Sequence, residues 1–139
     1  MIFILSSVTA AQDVKHSSGL NKGNQRVPAQ NVFGQIEQAF ANGDVRTLSG
    51  YLSSQTYFSL TNGKSGYFSK NQAFYVLQDF FKIYNVISFK LSNIQTDDDN
   101  PYATGVYGYE LKGKRNNAQV YISLKYAGRS WQISQITIN

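Results

Sequence analysis

A chain of 139 residues with 42% apolar side chains is long enough to bury one core and too short for two domains. Cysteine is absent, which excludes disulfides, thiolate nucleophiles and zinc–thiolate sites. The formal net charge of +5 comes from thirteen scattered basic residues, and only Lys112, Lys114 and Arg115 cluster, in a stretch that reads as a solvated hairpin loop. Such a charge supports solubility, not a specific nucleic-acid site.

At the N-terminus, Ile2-Phe3-Ile4-Leu5 and the small residues that follow resemble the end of a secretory signal peptide, with Thr9 and Ala11 at the cleavage positions. Residues 1–11 are therefore expected to be a signal-peptide remnant. The protein is then exported, to the periplasm or the cell envelope. The basic segment that normally precedes such a run is missing, so the natural start is expected upstream. The apolar run is too short for a membrane span. Residues 12–27 hold His16 and almost nothing apolar, the composition of a flexible lead-in. A single domain is expected over residues 28–139.

Pro28 suits the first turn of a helix whose apolar face is Val32, Phe33, Ile36 and Phe40. Asn42-Gly43 ends it, and Asp44 caps a second helix with Val45, Leu48, Tyr51 and Leu52 as its stripe. Thr56–Leu60 and Gly66–Phe68 read as short strands about an Asn62-Gly63 turn. Ser69 with Gln72 forms a capping box for a third helix, which buries Ala73, Phe74, Val76, Leu77, Phe80, Phe81 and Tyr84 and leaves Asp79 and Lys82 outside. Val86–Gln95 is a strand with Ile87, Phe89 and Leu91 on one side and a parity shift before Ile94. Asp97–Pro101 is a turn. Tyr102–Lys112 is a strand whose Ala103, Gly105 and Gly108 predict sheet curvature or close helix packing. Val120, Ile122, Leu124 and Tyr126 alternate with polar residues, and Gly128 turns the chain into Trp131–Ile138. There, Trp131 and Ile133 share one parity and Ile136 and Ile138 the other, which predicts a β-bulge near Ser134–Gln135. Hairpin connections make the main sheet antiparallel. With three helices on one face, the fold class is α+β.

No constellation of chemical groups accompanies this fold. His16 lies in the lead-in, where nothing holds it in a fixed geometry. Asp97-Asp98-Asp99 lacks the alternating ligands, sixth-position glycine and late glutamate of a calcium loop. Gly63-Lys64-Ser65-Gly66 lacks the phosphate-loop spacing, and Ser49-Gly50 is not flanked as a nucleophile elbow. Asp79 and Glu110 read as surface charges. No catalytic residue, metal ligand or cofactor site is assigned.

The run Tyr67-Phe68-Ser69-Lys70-Asn71-Gln72-Ala73, with Leu77-Gln78-Asp79-Phe80-Phe81 after it, resembles the central motif of domain of unknown function 4783. That family comprises small exported proteins, mainly of the Bacteroidetes. Tyr102–Gly105, Val120–Lys125 and Trp131–Ile136 are similar to its sheet. The resemblance implies the cone-shaped fold of the nuclear-transport-factor-2-like superfamily, with a curved sheet, and brings no catalytic residues. Two functional classes follow. The first is a non-catalytic binding or assembly module, using the sheet face or the cone cavity. The second is an isomerase- or dehydratase-like enzyme with a site inside the cone, for which Tyr57, Tyr75, Tyr107 or Tyr109 would supply a hydroxyl. Binding candidates are Tyr107, Tyr109 and Tyr121. By parity Tyr121 faces away from the helices, joined there either by Tyr107 and Tyr109 or by Tyr102 and Val106. Partners would be a second copy, another protein or a small molecule.

Overall fold

The computed structural model describes residues 26–97 and 99–139. The expected signal remnant, His16 and most of the lead-in lie outside them. Helix α1 (Ala29–Ala41) starts behind Pro28 and buries Val32, Phe33, Ile36, Ala39 and Phe40, spaced three or four apart. Gly43, at φ 64°, takes the left-handed conformation that ends it, and the Asp44 N–H returns to the Ala39 carbonyl at 2.8 Å. The Asp44 carboxylate then accepts from the Thr47 N–H at 3.1 Å and its hydroxyl at 2.6 Å, opening α2 (Val45–Ser49). Helix α2 is shorter than its stripe predicted. It stops at Gly50, and Leu52, expected on the helix, is the first residue of β1 (Leu52–Leu60). The cause is tertiary: Tyr51 accepts the Ile133 N–H at 2.6 Å, which draws the chain into the sheet.

Strand β2 (Ser65–Ser69) folds back on β1 with Tyr57 opposite Tyr67. Ser69 and Gln72 form both bonds of the capping box of α3 (Lys70–Ile83). This helix buries Ala73, Leu77 and Phe80 completely, whereas Phe81 is half-buried. Strands β3 (Asn85–Gln95), β4 (Tyr102–Leu111), β5 (Lys114–Ala127) and β6 (Ser130–Ile138) complete a six-stranded sheet in the order β2-β1-β6-β5-β4-β3. Every pairing is antiparallel except β1 with β6, which run parallel. This pairing was not foreseen from local pattern. The meander begins at the far edge and works inward, so β6 reaches β1 running the same way.

Bulges set the faces. Ser134 is the extra residue opposite the Ser123–Leu124 step, where the changing parity of β6 placed it. Two register shifts interrupt β3. The one at Ser92 restores Ile94 to the inner face. The one at Ile87 turns that side chain outward, 44% exposed, against the expectation that it shares a side with Phe89 and Leu91. At Gly105 a side chain would collide with the Lys90 carbonyl oxygen, so β3 lies across β4 as only glycine allows. The spare Leu91 N–H beside the second bulge donates to Glu37 of α1 at 2.7 Å. The helices pack on one face: α1 and α2 against each other, α1 against β3, and α3 against β1 and β2. Phe33, Phe40, Phe58, Phe80 and Tyr107 fill the space between helices and sheet.

Candidate functional site

The phase of β4 decides which tyrosines are available. Tyr107 sits opposite Ala118 and Phe89, both buried, and is itself fully buried. Its hydroxyl donates to the Tyr84 carbonyl at 2.5 Å, and its ring lies 5.6 Å from that of Phe80. Burial first, and the nearby Tyr109 second, push the Tyr107 phenol well above its usual range, so it stays protonated. Tyr109 follows on the same face and meets Tyr84 edge-on at 5.2 Å. Both candidates therefore belong to the covered side. The Tyr107 hydroxyl is engaged by the backbone and closed to solvent.

Tyr121 takes the open side, as its parity implies, with Val120 and Ile122 buried beneath it. Tyr102 stacks on it at 5.6 Å with an interplanar angle of 23°. Across the sheet, Tyr57 and Tyr67 meet edge-on at 5.2 Å, and Tyr67 is 71% exposed. Between the two pairs lie Ser59, Gln135 and Thr137, which the strand registers place on the same face. Ser123 and Ser134 share a hydroxyl–hydroxyl bond at 2.8 Å, and the Gln135 amide donates to the Thr137 hydroxyl at 3.2 Å. Val106, 37% exposed, extends the surface over β4. Among the described residues, charges stand only at its margins: Lys125 at one end, Glu110 and Arg115 at the other, Lys90 on the β3 edge. The face combines flat amphipathic rings with hydroxyls and amides, a composition suited to docking a protein surface.

Among the described residues, the remaining polar groups show no chemistry of another kind. Asp79 and Glu110 are exposed, as expected. The Asp44 carboxyl is held below the usual carboxylate range, chiefly by the Thr47 hydroxyl and then the Thr47 N–H, which accounts for it as a cap. Buried Ser53 and Thr56 bond each other at 3.1 Å and the carbonyls of Gln55 and Ile133. Among the described residues no group of three His, Cys, Asp or Glu is placed to hold a metal ion, and no helix is long and apolar enough to cross a membrane. Sequence reasoning singled out Tyr121 and missed its context. The Tyr57–Tyr67 half of the face joins the rest through the parallel β1–β6 pairing, for which the sequence carries no local signal.

Comparison with known proteins agrees with this architecture. The family model described as domain of unknown function (DUF4783) matches residues 33–139. A DUF4783 family protein from Bacteroides uniformis ATCC 8492 superposes with a TM-score of 0.69 at 23% identity, over 76% of this chain and 94% of its own. One from Bacteroides ovatus ATCC 8483 does so with a TM-score of 0.67 at 25% identity, over 83% and 96%. An uncharacterized cystatin fold protein from Novosphingobium aromaticivorans gives 0.63 at 12% identity, over 81% and 98%. The shared fold is the cystatin-like, nuclear-transport-factor-2-like one. No curated protein sequence matches the chain at a significant level.

Proposed function

The chain belongs to the DUF4783 family, and on that footing we propose that it is a non-catalytic assembly module that pairs with a second copy of itself through the open face of its sheet. One observation carries the reading: among the described residues the centre of that face is free of charge, on a chain whose net charge is +5. Two such chains repel each other through most of their surfaces, and here they would meet without opposed lysines. The two tyrosine pairs, with Tyr67 exposed and the other three rings half-buried, supply area with little side-chain entropy to lose. The uncharged patch spans five strands, about 19 Å at ordinary strand spacing, and about 17 Å along them. That footprint falls below the usual size of a stable interface, so the expected association is weak, on the order of 10 µM. With residues 1–11 read as a signal-peptide remnant, the assembly would form in the periplasm or at the cell envelope.

Weighing against a reaction site within the cone is the filling of that space by Phe33, Phe40, Phe58, Phe80 and Tyr107. The test is sedimentation across a concentration series. Wild type should pass from monomer to dimer, and Tyr121→Glu should remain monomeric with an unchanged melting temperature. A wild type that is monomeric at the highest concentration, with no partner recovered by crosslinking, removes the proposal.

A further inference from the structure

At the end of the sheet away from the Lys112-Gly113 turn, Tyr126 and Trp131 stand opposite each other on β5 and β6. Their rings meet edge-on, with centroids 5.1 Å apart and an interplanar angle of 74°. A corner of this kind offers two π faces to one cation. In this chain the cation is its own: the Arg26 guanidinium carbon lies 4.0 Å from the Tyr126 centroid and 5.9 Å from that of Trp131. The indole is fixed in place, because its Nε1–H donates to the Val27 carbonyl at 3.0 Å. Next to the corner is a hollow of about 230 Å³, walled by Val27, Val32, Tyr51, Tyr126 and Trp131, with Arg129 and Ser130 in its lining. Arg129 sits in the turn at φ 73°, a backbone conformation that a non-glycine residue rarely takes.

We propose that the Tyr126–Trp131 corner is a binding site for a guanidinium group, occupied in cis by Arg26, and that it takes free arginine or a C-terminal arginine when Arg26 leaves. The rings recognise the planar cation as they recognise Arg26. Arg129 in the same hollow disfavours a second bare cation and favours a ligand that brings a carboxylate with its guanidinium. Free arginine carries both groups. Arg26 then acts as a tethered competitor, present at an effective concentration in the millimolar range. The site is separate from the open face of the sheet and does not depend on pairing through it.

Trp131 is the only tryptophan of the chain, so its emission and its single indole N–H resonance report on the corner alone. Wild type and Arg26→Ala would be titrated with L-arginine, with agmatine, which lacks the carboxylate, and with citrulline, which lacks the charge. For Arg26→Ala we expect a saturable change with L-arginine, half-complete at a concentration at least about threefold below that of wild type. Such a factor is what an exposed cation–π contact contributes. Agmatine should bind more weakly than arginine, Arg129→Ala should abolish that difference, and citrulline should have no effect. Arg26→Gln guards against collapse of the corner: its indole resonance should stay in the hydrogen-bonded position and move on adding arginine. No saturable response in either Arg26 variant, or equal responses to citrulline and arginine, overturns the proposal.

Discussion

Replacing Phe80 with alanine tests whether the core lies where the fold puts it. The ring is fully buried under α3, with centroids 4.7 Å from Tyr84, 5.6 Å from Tyr107 and 6.1 Å from Phe81. Losing the transfer energy of a buried phenyl group costs about 2 kcal/mol. A remaining cavity of roughly 90 Å³ adds about 2 kcal/mol at the rate observed for large-to-small core changes. The site collapses poorly, because the Tyr107 hydroxyl is tied to the Tyr84 carbonyl and holds the adjoining ring in place. The expected loss is therefore about 4–5 kcal/mol, at the upper end for such substitutions. Phe81→Ala, on a half-buried ring, should cost about half as much. Asp79→Asn, on the exposed face of the same helix, should stay within about 0.5 kcal/mol of wild type. Urea denaturation with a common slope measures all three, and in a thermal scan Phe80→Ala should melt about 15 °C lower. A Phe80→Ala loss under about 1.5 kcal/mol, or no greater than that of Phe81→Ala, would refute this packing.

The raised pKa of Tyr107 makes stability depend on alkaline pH. A phenol protonated longer in the folded than in the unfolded chain leaves stability intact below about pH 10. Above that value stability falls by up to about 1.4 kcal/mol per pH unit, because the unfolded state releases the proton first. Tyr107→Phe should remove this part of the alkaline loss and cost about 1–2 kcal/mol at neutral pH through the unpaired Tyr84 carbonyl; denaturation at pH 7 and pH 11 compares the two, and an unchanged alkaline slope counts against the assignment. Glu37→Ala should lower stability by about 1.5–3 kcal/mol and speed exchange of the Leu91 amide, whereas Glu37→Gln, which keeps an acceptor, should recover most of both. Equal exchange rates in Glu37→Ala and wild type would show that the bulge finds another acceptor.

What could be read from the sequence was what neighbouring residues decide among themselves. The Ser69–Gln72 box, the Gly43 stop, the Asp44 cap and the β5–β6 turn rest on contacts within five residues, and each lies where its pattern put it. The Ser134 bulge was legible because a change of parity is written into the order Trp131, Ile133, Ile136, Ile138. What failed locally was decided at long range. Leu52 has a helical spacing from Leu48, yet pairs with Ile133. Ile87 alternates correctly with Phe89, yet the β3–β4 register turns it out. Strand β4 could not be phased because each parity carries both tyrosine and glycine, Gly105, Tyr107 and Tyr109 on one and Tyr102 and Gly108 on the other, and neither type declares a face. Only the aromatic cluster around Phe80 and Phe89 selects Tyr107 and Tyr109 for the inside. The Tyr126–Trp131 corner was invisible for a similar reason, since it needs Arg26, about a hundred residues away in sequence.

The final strand of the chain, β6, is an inner strand of the sheet, with β1 on one side and β5 on the other. Without it the sheet falls into two pieces, the β1–β2 hairpin and the β3–β4–β5 meander, bridged only by the helices, with α1 packed on β3 and bonded to it through Glu37 and Leu91. Leu60 meets Ile138 across roughly 80 residues, and closing a loop of that length costs about 4 kcal/mol in chain entropy. A nascent chain therefore cannot close the sheet before Ile138 has emerged from the ribosome. It carries its unjoined β1 and β5 edges open during that interval, when they are exposed to pairing with other chains. Removing β6 would then cost the sheet two ladders at once, a larger defect than loss of an edge strand.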